Sequence, residues 1–99
     1  MATRLTITQT KTGTTPANTG FFSPSSEFTT IFQTYIDDGS LTEVQNSISG
    51  DIKTSIIDFV SIEKFEEFNN LTVVVGYRAD RLNYNTTNNI IFTTVTEEV

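Results

Sequence analysis

The stretch that decides the fold is residues 41–70, LTEVQNSISGDIKTSIIDFVSIEKFEEFNN. Its first part, Leu41–Ser49, reads as a strand, and a turn at Ser49–Asp51 separates it from a second, apolar run at Ile52–Val60. Two strand-like runs joined by a short glycine turn predict a β-hairpin. Ser61 then occupies the N-cap position of a following helix, with Glu63 in its first turn. The stretch therefore predicts a hairpin that runs directly into a helix.

The second strand of this hairpin is apolar on both faces. Ile52, Ile56 and Val60 occupy one face, whereas Ile57 and Phe59 occupy the other. An antiparallel strand that is covered on one side only is expected to alternate apolar and polar residues. We therefore expect a layer of structure on each side of the sheet.

The segment before the hairpin predicts a strand, a loop and a helix. Arg4–Lys11 alternates as a half-buried strand does, and Lys11–Gly20 has the Gly, Pro, Thr and Asn content that is typical of a loop. Within Phe21–Gly39, Ser23 is expected to cap a helix that has Pro24 at its first position. The apolar stripe of this helix comprises Phe28, Ile31, Phe32, Tyr35 and Ile36.

The segment after the hairpin predicts a second helix and a last strand. Leu71–Gly76 contains β-branched residues that suit either a helix or a strand, and we favour a helix that ends between Leu71 and Val75. Arg78–Asn89 is polar and rich in Asn, which predicts a loop, and Ile90–Glu97 alternates as a final strand. The inner stripe of the second helix comprises Ile62, Phe65, Phe68 and Thr72.

The predicted order is strand, helix, strand, strand, helix, strand, within a single domain spanning residues 1–99. This is the ferredoxin-like βαββαβ arrangement, an α+β fold class with a four-stranded antiparallel sheet. Right-handed crossovers place both helices on one face of that sheet. Because the strand at Ile52–Val60 is apolar on the other face as well, we expect a homodimer joined through the sheet faces.

The composition excludes several classes of function. Lys and Arg number 6 against 12 Asp and Glu, a net charge of −6, which argues against nucleic acid or an anionic membrane surface as partner. The chain has no Cys and no His, so we expect neither a metal site nor a cofactor, and a serine–histidine triad is excluded. No stretch has the length and apolarity of a membrane span, and the N-terminal residues lack a signal-peptide pattern, so a cytoplasmic location is expected.

The segment Gly39–Asn69 resembles the dimeric α+β barrel superfamily, a ferredoxin-like group that includes small monooxygenase-like and haem-degrading proteins. The resemblance lies in the hairpin SISGDI and in IDFVSIEKFEEFNN, a strand followed by a Ser-capped aromatic helix. It implies two sheets that pair face to face between subunits. Haem-binding members use a histidine ligand, which is lacking in this chain. The resemblance therefore implies, for any enzymatic activity, cofactor-free monooxygenase-like chemistry on an apolar, aromatic or enolic ligand.

The candidate ligand-binding residues cluster near the C-terminus. Tyr77, Arg78, Arg81, Asn83 and Tyr84 combine cationic, phenolic and amide groups in an otherwise acidic chain. A guanidinium group binds a carboxylate through two hydrogen bonds, and a phenol donates to a developing oxyanion. The alternative is a solvated loop whose arginines pair with Asp80 or with a partner subunit.

Two further candidates lie elsewhere in the chain. Asp58 is placed in a largely apolar strand, where burial would raise its pKa and make it a base; the alternative is an ion pair with Arg4 or Lys53. Tyr35 belongs to an aromatic set that would line a pocket between helices and sheet, or simply fill the core.

Three functions are consistent with these features. The first is a homodimer that binds a small apolar or aromatic ligand in a cavity between the helices and the sheet. The second is a non-catalytic interaction or assembly module. The third is a small phage-type structural protein, which is suggested by the Thr- and Asn-rich composition. A cavity with convergent polar groups favours the first, a tightly packed interior the second, and association through strand edges the third.

Overall fold

A computed structural model describes residues 1–99 as four strands and three helices. The four strands form one antiparallel sheet in the order β2-β3-β1-β4, so the fold is α+β with an open sheet. This confirms the predicted class and the predicted four-stranded antiparallel sheet. The elements are β1 (Thr3–Lys11), α1 (Ser26–Asp37), β2 (Leu41–Ser49), β3 (Ile52–Phe59), α2 (Ile62–Asn70), α3 (Thr72–Thr87) and β4 (Ile90–Glu98).

The strand register assigns each side chain to one of two faces, because successive residues of a strand point in opposite directions. Leu5 lies opposite Ile57 of β3 and Thr96 of β4. Leu5 and Ile57 pack against the helices, and we call this side the helix face. Thr6 points to the other side, with Ile56 and Val95 as its cross-strand partners. We call that side the open face.

A cluster of four buried apolar residues occupies one end of the helix face. Leu41 of β2 pairs with Phe59 of β3 at this end, and both pack with Phe68 of α2 and Val74 of α3 in one fully buried cluster. The ring of Phe59 lies 5.3 Å from that of Phe65 and 5.4 Å from that of Phe68. Beyond Leu41, every residue of β2 is exposed, so the packing weakens towards the hairpin turn.

Helix α1 begins two residues later than the sequence suggested. Ser25, rather than Ser23, is the N-cap, and its side chain accepts a hydrogen bond of 3.2 Å from the backbone N–H of Phe28. The predicted cap and Pro24 therefore lie before the helix. At the other end Gly39 has φ of 81° and stops the helix, as its position predicts.

The largest difference from the sequence-based expectation is at Arg78–Asn89. This segment is not a loop but most of α3, a helix of 16 residues. Leu71 has an extended backbone, with ψ of 135°, and separates α2 from α3. The helical preference for Leu71–Gly76 is thus confirmed from Thr72 onward, although in a new helix. Thr72 itself is exposed and does not belong to the inner stripe.

The helices lie on one face of the sheet only. Their contacts go to helix-face residues such as Leu5, Ile57 and Phe59. On the open face Ile91 and Val95 remain 55% and 57% exposed. None of the three helices combines the length and apolarity needed to cross a membrane.

Candidate functional site

A cleft of about 630 Å³ lies between the helix face of the sheet and the helices. Its floor includes Leu5, Ile7 and Gln9 of β1, and α1 and α3 form its walls. The largest apolar cluster is packed at the Phe59 end of the helix face, and the cleft extends from there along β1 and β3. Its volume falls within the range of about 300–1,000 Å³ that is typical of small-molecule pockets.

Two rings and one guanidinium group organise one wall of the cleft. The ring of Tyr77 stacks on that of Phe28 at a centroid distance of 3.8 Å. The Cζ atom of Arg81 lies 5.0 Å from the Tyr77 ring and 4.4 Å from the Phe92 ring. Arg81 and Tyr77 share a face of α3 because they are four residues apart. Phe92 faces them from β4, so the guanidinium group is held between two aromatic rings.

Arg81 is buried without an ionic partner. Its residue is only 9% exposed, and both salt bridges of the chain lie elsewhere, between Arg4 and Asp58 and between Lys64 and Glu67. Burial lowers the pKa of Arg81 from its usual value. A guanidinium group stays protonated in proteins, so Arg81 carries a largely buried charge that faces the Tyr77 and Phe92 rings but no carboxylate. Such a charge is a strong attraction for an anionic group that enters the cleft.

A buried amide pair adjoins this guanidinium group. Asn85 lies one turn after Arg81 on α3 and is 2% exposed, and Gln9 of β1 is 4% exposed. The Asn85 Nδ2 atom donates to the Gln9 Oε1 atom at 3.0 Å. The Asn85 Oδ1 atom is buried and has no donor. The pair fixes the Gln9 side chain, which itself lines the cleft.

The charge of the cleft is opposite to that of the chain. Lys53, Arg78 and Arg81 line it, whereas Glu43 is its one acidic residue. The whole protein carries a net charge of −6. Since a low-dielectric cleft of one sign concentrates ligands of the other, this distribution favours an anion.

Three of the predicted site residues come together in the cleft. Tyr77, Arg78 and Arg81 all line it, although they lie on a helix rather than on the predicted loop. Tyr84 lies outside, where its hydroxyl donates to the Gly20 carbonyl at 2.5 Å and its ring packs on Phe22. Tyr84 therefore ties the long loop before α1 to α3.

Tyr35 also lies outside the cleft. Its hydroxyl donates to the Glu67 Oε2 atom at 2.5 Å, which links α1 to α2. Burial, followed by this hydrogen bond, raises the pKa of Tyr35 to about 12. The same contact lowers the pKa of Glu67, which also accepts from Lys64. In the structure Tyr35 acts as a connection between helices.

Asp58 points to the open face and pairs with Arg4. Its two carboxylate oxygens accept from Arg4 Nε at 2.8 Å and from Arg4 Nη2 at 2.9 Å. These bonds lower the pKa of Asp58. The alternative reading, an ion pair with Arg4, is confirmed, and the expectation of a raised pKa is wrong because the two-point bond outweighs desolvation.

Sequence reasoning missed the cleft residues Gln9, Lys53 and Phe92, and it also missed Asn85, which does not line the cleft but bonds to Gln9. Three of them are strand residues that only the register brings together, and Asn85 fell in the expected loop. The spacing of Tyr77, Arg81 and Asn85 was the available signal, since positions four apart share one helix face. Comparisons with family models, curated proteins and solved structures found no match.

Proposed function

We propose that this protein binds a small molecule with an apolar, aromatic body and an anionic group in the cleft between the sheet and the helices. The observation that carries the proposal is Arg81, which is buried between Tyr77 and Phe92 with no carboxylate partner. A ligand carboxylate would supply the missing charge and accept two hydrogen bonds from the guanidinium group.

The energetics of burial support an exchangeable partner for Arg81. Removing an ion from water costs several kcal/mol, and cation–π contacts, at about 2 kcal/mol each when desolvated, offset this cost only in part. A chain selected for stability alone would place an apolar residue at such a position. A chain that binds an anion needs the positive charge, and the remaining desolvation cost of that charge persists until the ligand binds.

The aromatic lining of the cleft supports an apolar ligand body. Phe28, Phe32, Phe59, Phe65 and Phe68 line the cleft, and stacked or edge-on aromatic pairs contribute about 0.5–1.5 kcal/mol beyond the area that they bury. The lining offers one carboxylate, Glu43, and the chain has no His or Cys. The proposal is accordingly limited to binding and includes no catalytic step.

The ferredoxin-like arrangement and the homodimer are part of the same proposal. The sheet order β2-β3-β1-β4, with a helix or helix pair in each crossover, supports the ferredoxin-like assignment. On the open face the charged groups Arg4, Asp58 and Glu97 form a row at one end. The rest of this face carries no charge on β1, β3 and β4, because Thr6, Thr8 and Thr10 and their cross-strand partners are all uncharged. A second copy could therefore pack there without burying ions.

The area of the open face agrees with a small dimer. Strands about 4.8 Å apart and about 3.3 Å per residue give a face of roughly 550 Å². Two such faces bury about 1,100 Å², just above the roughly 1,000 Å² that a specific interface requires. Light scattering during size exclusion should give twice 11.0 kDa. Thr8→Lys, at the centre of the face, should give a monomer, whereas Thr86→Lys, at an exposed position of α3, should leave the dimer intact. A monomeric wild type would remove the dimer from the proposal.

The binding test compares matched ligands and matched variants. 2-Naphthoate and the neutral 2-naphthylmethanol are titrated into the protein at low salt and followed by calorimetry and by amide chemical shifts. We expect naphthoate alone to bind and to shift the resonances of Tyr77, Arg81 and Phe92. Arg81→Met should abolish binding while circular dichroism shows an intact fold, and Lys11→Met, outside the cleft, should bind as wild type. Equal binding of the neutral ligand would refute the role of Arg81.

A further inference from the structure

The strand register aligns three donor groups across the cleft, namely the Arg81 guanidinium group above Phe92, the Gln9 amide and the Lys53 ammonium group. Phe92 of β4, Gln9 of β1 and Lys53 of β3 are direct cross-strand partners on the helix face. All three line the cleft, and the Arg81 guanidinium group sits over Phe92 at 4.4 Å. Arg81, Gln9 and Lys53 thus follow one another from β4 to β3. We call them the donor row.

Every member of the donor row lacks an anionic partner within the protein. The Gln9 Oε1 atom is occupied by the bond from Asn85, so Gln9 offers its Nε2 donors to the cleft. Lys53 is half-buried and takes part in neither of the two salt bridges. Arg81 is buried without a carboxylate. The row therefore presents two positive charges with a neutral donor between them.

We propose that the donor row binds a ligand that carries two separate anionic groups, one at Arg81 and one at Lys53, with the class of aromatic dicarboxylates as the best fit. The inference rests on the proposed binding function of the cleft and adds the number and spacing of the anionic groups. Neighbouring strands are about 4.8 Å apart, so the Cα atoms of Phe92 and Lys53 are separated by about 10 Å. A single carboxylate is too short to bridge the two ends of the row.

Asn85 acts as a positioning residue in this arrangement. Its Nδ2 donor holds the Gln9 carbonyl oxygen, which leaves the donor end of the Gln9 amide for the ligand. With the amide reversed, Gln9 would present an acceptor to an anion and repel it. The fixed orientation therefore favours anionic groups along the whole row.

The test compares benzoate, terephthalate and phenyl phosphate by calorimetry with the full chain at low salt. Terephthalate places its charges at two points, whereas phenyl phosphate places them at one. We expect terephthalate to bind about tenfold more tightly than benzoate, since a hydrogen bond to a charged group contributes that much. Lys53→Met should reduce this preference to about onefold, because terephthalate loses its second anchor, whereas benzoate loses only the longer-range attraction of one positive charge. Lys11→Met, which removes a basic group outside the cleft, should keep the preference.

The outcomes separate this inference from the function on which it rests. If Arg81→Met abolishes benzoate binding but Lys53→Met leaves the terephthalate preference intact, the dicarboxylate inference is overturned and the binding function stands. If phenyl phosphate binds as tightly as terephthalate, charges at one point are enough for binding, and the proposed two-point spacing is overturned. If Arg81→Met leaves benzoate affinity unchanged, the binding function itself is overturned. Loss of the preference in Lys53→Met alone supports the inference.

Discussion

Replacing Arg81 by methionine is expected to stabilise the ligand-free protein. The change removes a buried positive charge that has no carboxylate partner and keeps most of the aliphatic volume between Tyr77 and Phe92. An arginine removed from a true ion pair would instead destabilise the fold, because it would leave a buried carboxylate unpaired. The sign of the change therefore reports whether Arg81 serves folding or binding.

The magnitude follows from two opposing contributions. Loss of two desolvated cation–π contacts costs about 4 kcal/mol, at about 2 kcal/mol each, and removal of the buried charge returns several kcal/mol. The expected net stabilisation is about 1 kcal/mol, which raises the Tm of a domain of this length by roughly 4–8 °C. Arg81→Lys keeps the charge but gives up the planar contact with the rings, so its Tm should fall below that of the wild type.

The assay is thermal unfolding followed by calorimetry and circular dichroism, without ligand. Arg78→Met is the matched control, because Arg78 is exposed on the same helix, and its effect should stay within about 0.5 kcal/mol. A large loss of stability in Arg81→Met would show that the guanidinium group is part of the structural framework. The case for an anionic ligand would then lose its main support.

Three further outcomes are expected from the contacts outside the cleft. The pKa of Asp58 is lowered by Arg4, so the pair stabilises the fold above about pH 4, and this stabilisation is lost as pH falls through the folded pKa. Asp58→Asn should flatten this part of the dependence of unfolding free energy on pH, measured by denaturant titration. The pKa of Tyr35 is raised to about 12, so its contact with Glu67 stabilises the fold below about pH 10 and is lost as pH rises from there to the folded pKa. Absorbance titration should find a late-titrating phenol that is lost in Tyr35→Phe. Gly39→Ala should destabilise by about 1 kcal/mol in chemical denaturation, because φ of 81° strains an L residue. Unchanged profiles in any of the three variants would contradict the corresponding contact.

The elements that the sequence predicted well are those whose signals are local. The hairpin follows from the turn before Asp51, and α2 follows from Ser61, whose side chain indeed accepts from the Lys64 backbone N–H at 3.2 Å. Helix α3 was missed because its buried face carries Arg81 and Asn85, which a hydropathy pattern scores as surface residues. Their burial depends on partners such as Phe92 that lie far away in sequence or on another element.

The candidate site was likewise predictable only where its signal is local in the sequence. The mixture of guanidinium and phenol groups pointed to Tyr77, Arg78 and Arg81, which do meet in the cleft. Gln9 and Lys53 could not be found, since a polar residue on an alternating strand is normally assigned to solvent. Only the register between β1 and β3 shows that the two are opposite each other and inside.

The one-sided core has a consequence for local motions. Backbone amides near Leu41 and Phe59 lie against the buried cluster, so their hydrogen exchange should require nearly global unfolding. Amides towards the hairpin turn lack such cover, since β2 is exposed beyond Leu41, and they should exchange through small local openings. A ligand that fills the cleft would reduce this difference in hydrogen exchange, so protection would spread along β1 and β3 from the Phe59 end to Lys53. The half of the sheet beside the cleft would then be the part of the molecule whose backbone order depends on whether a ligand is bound.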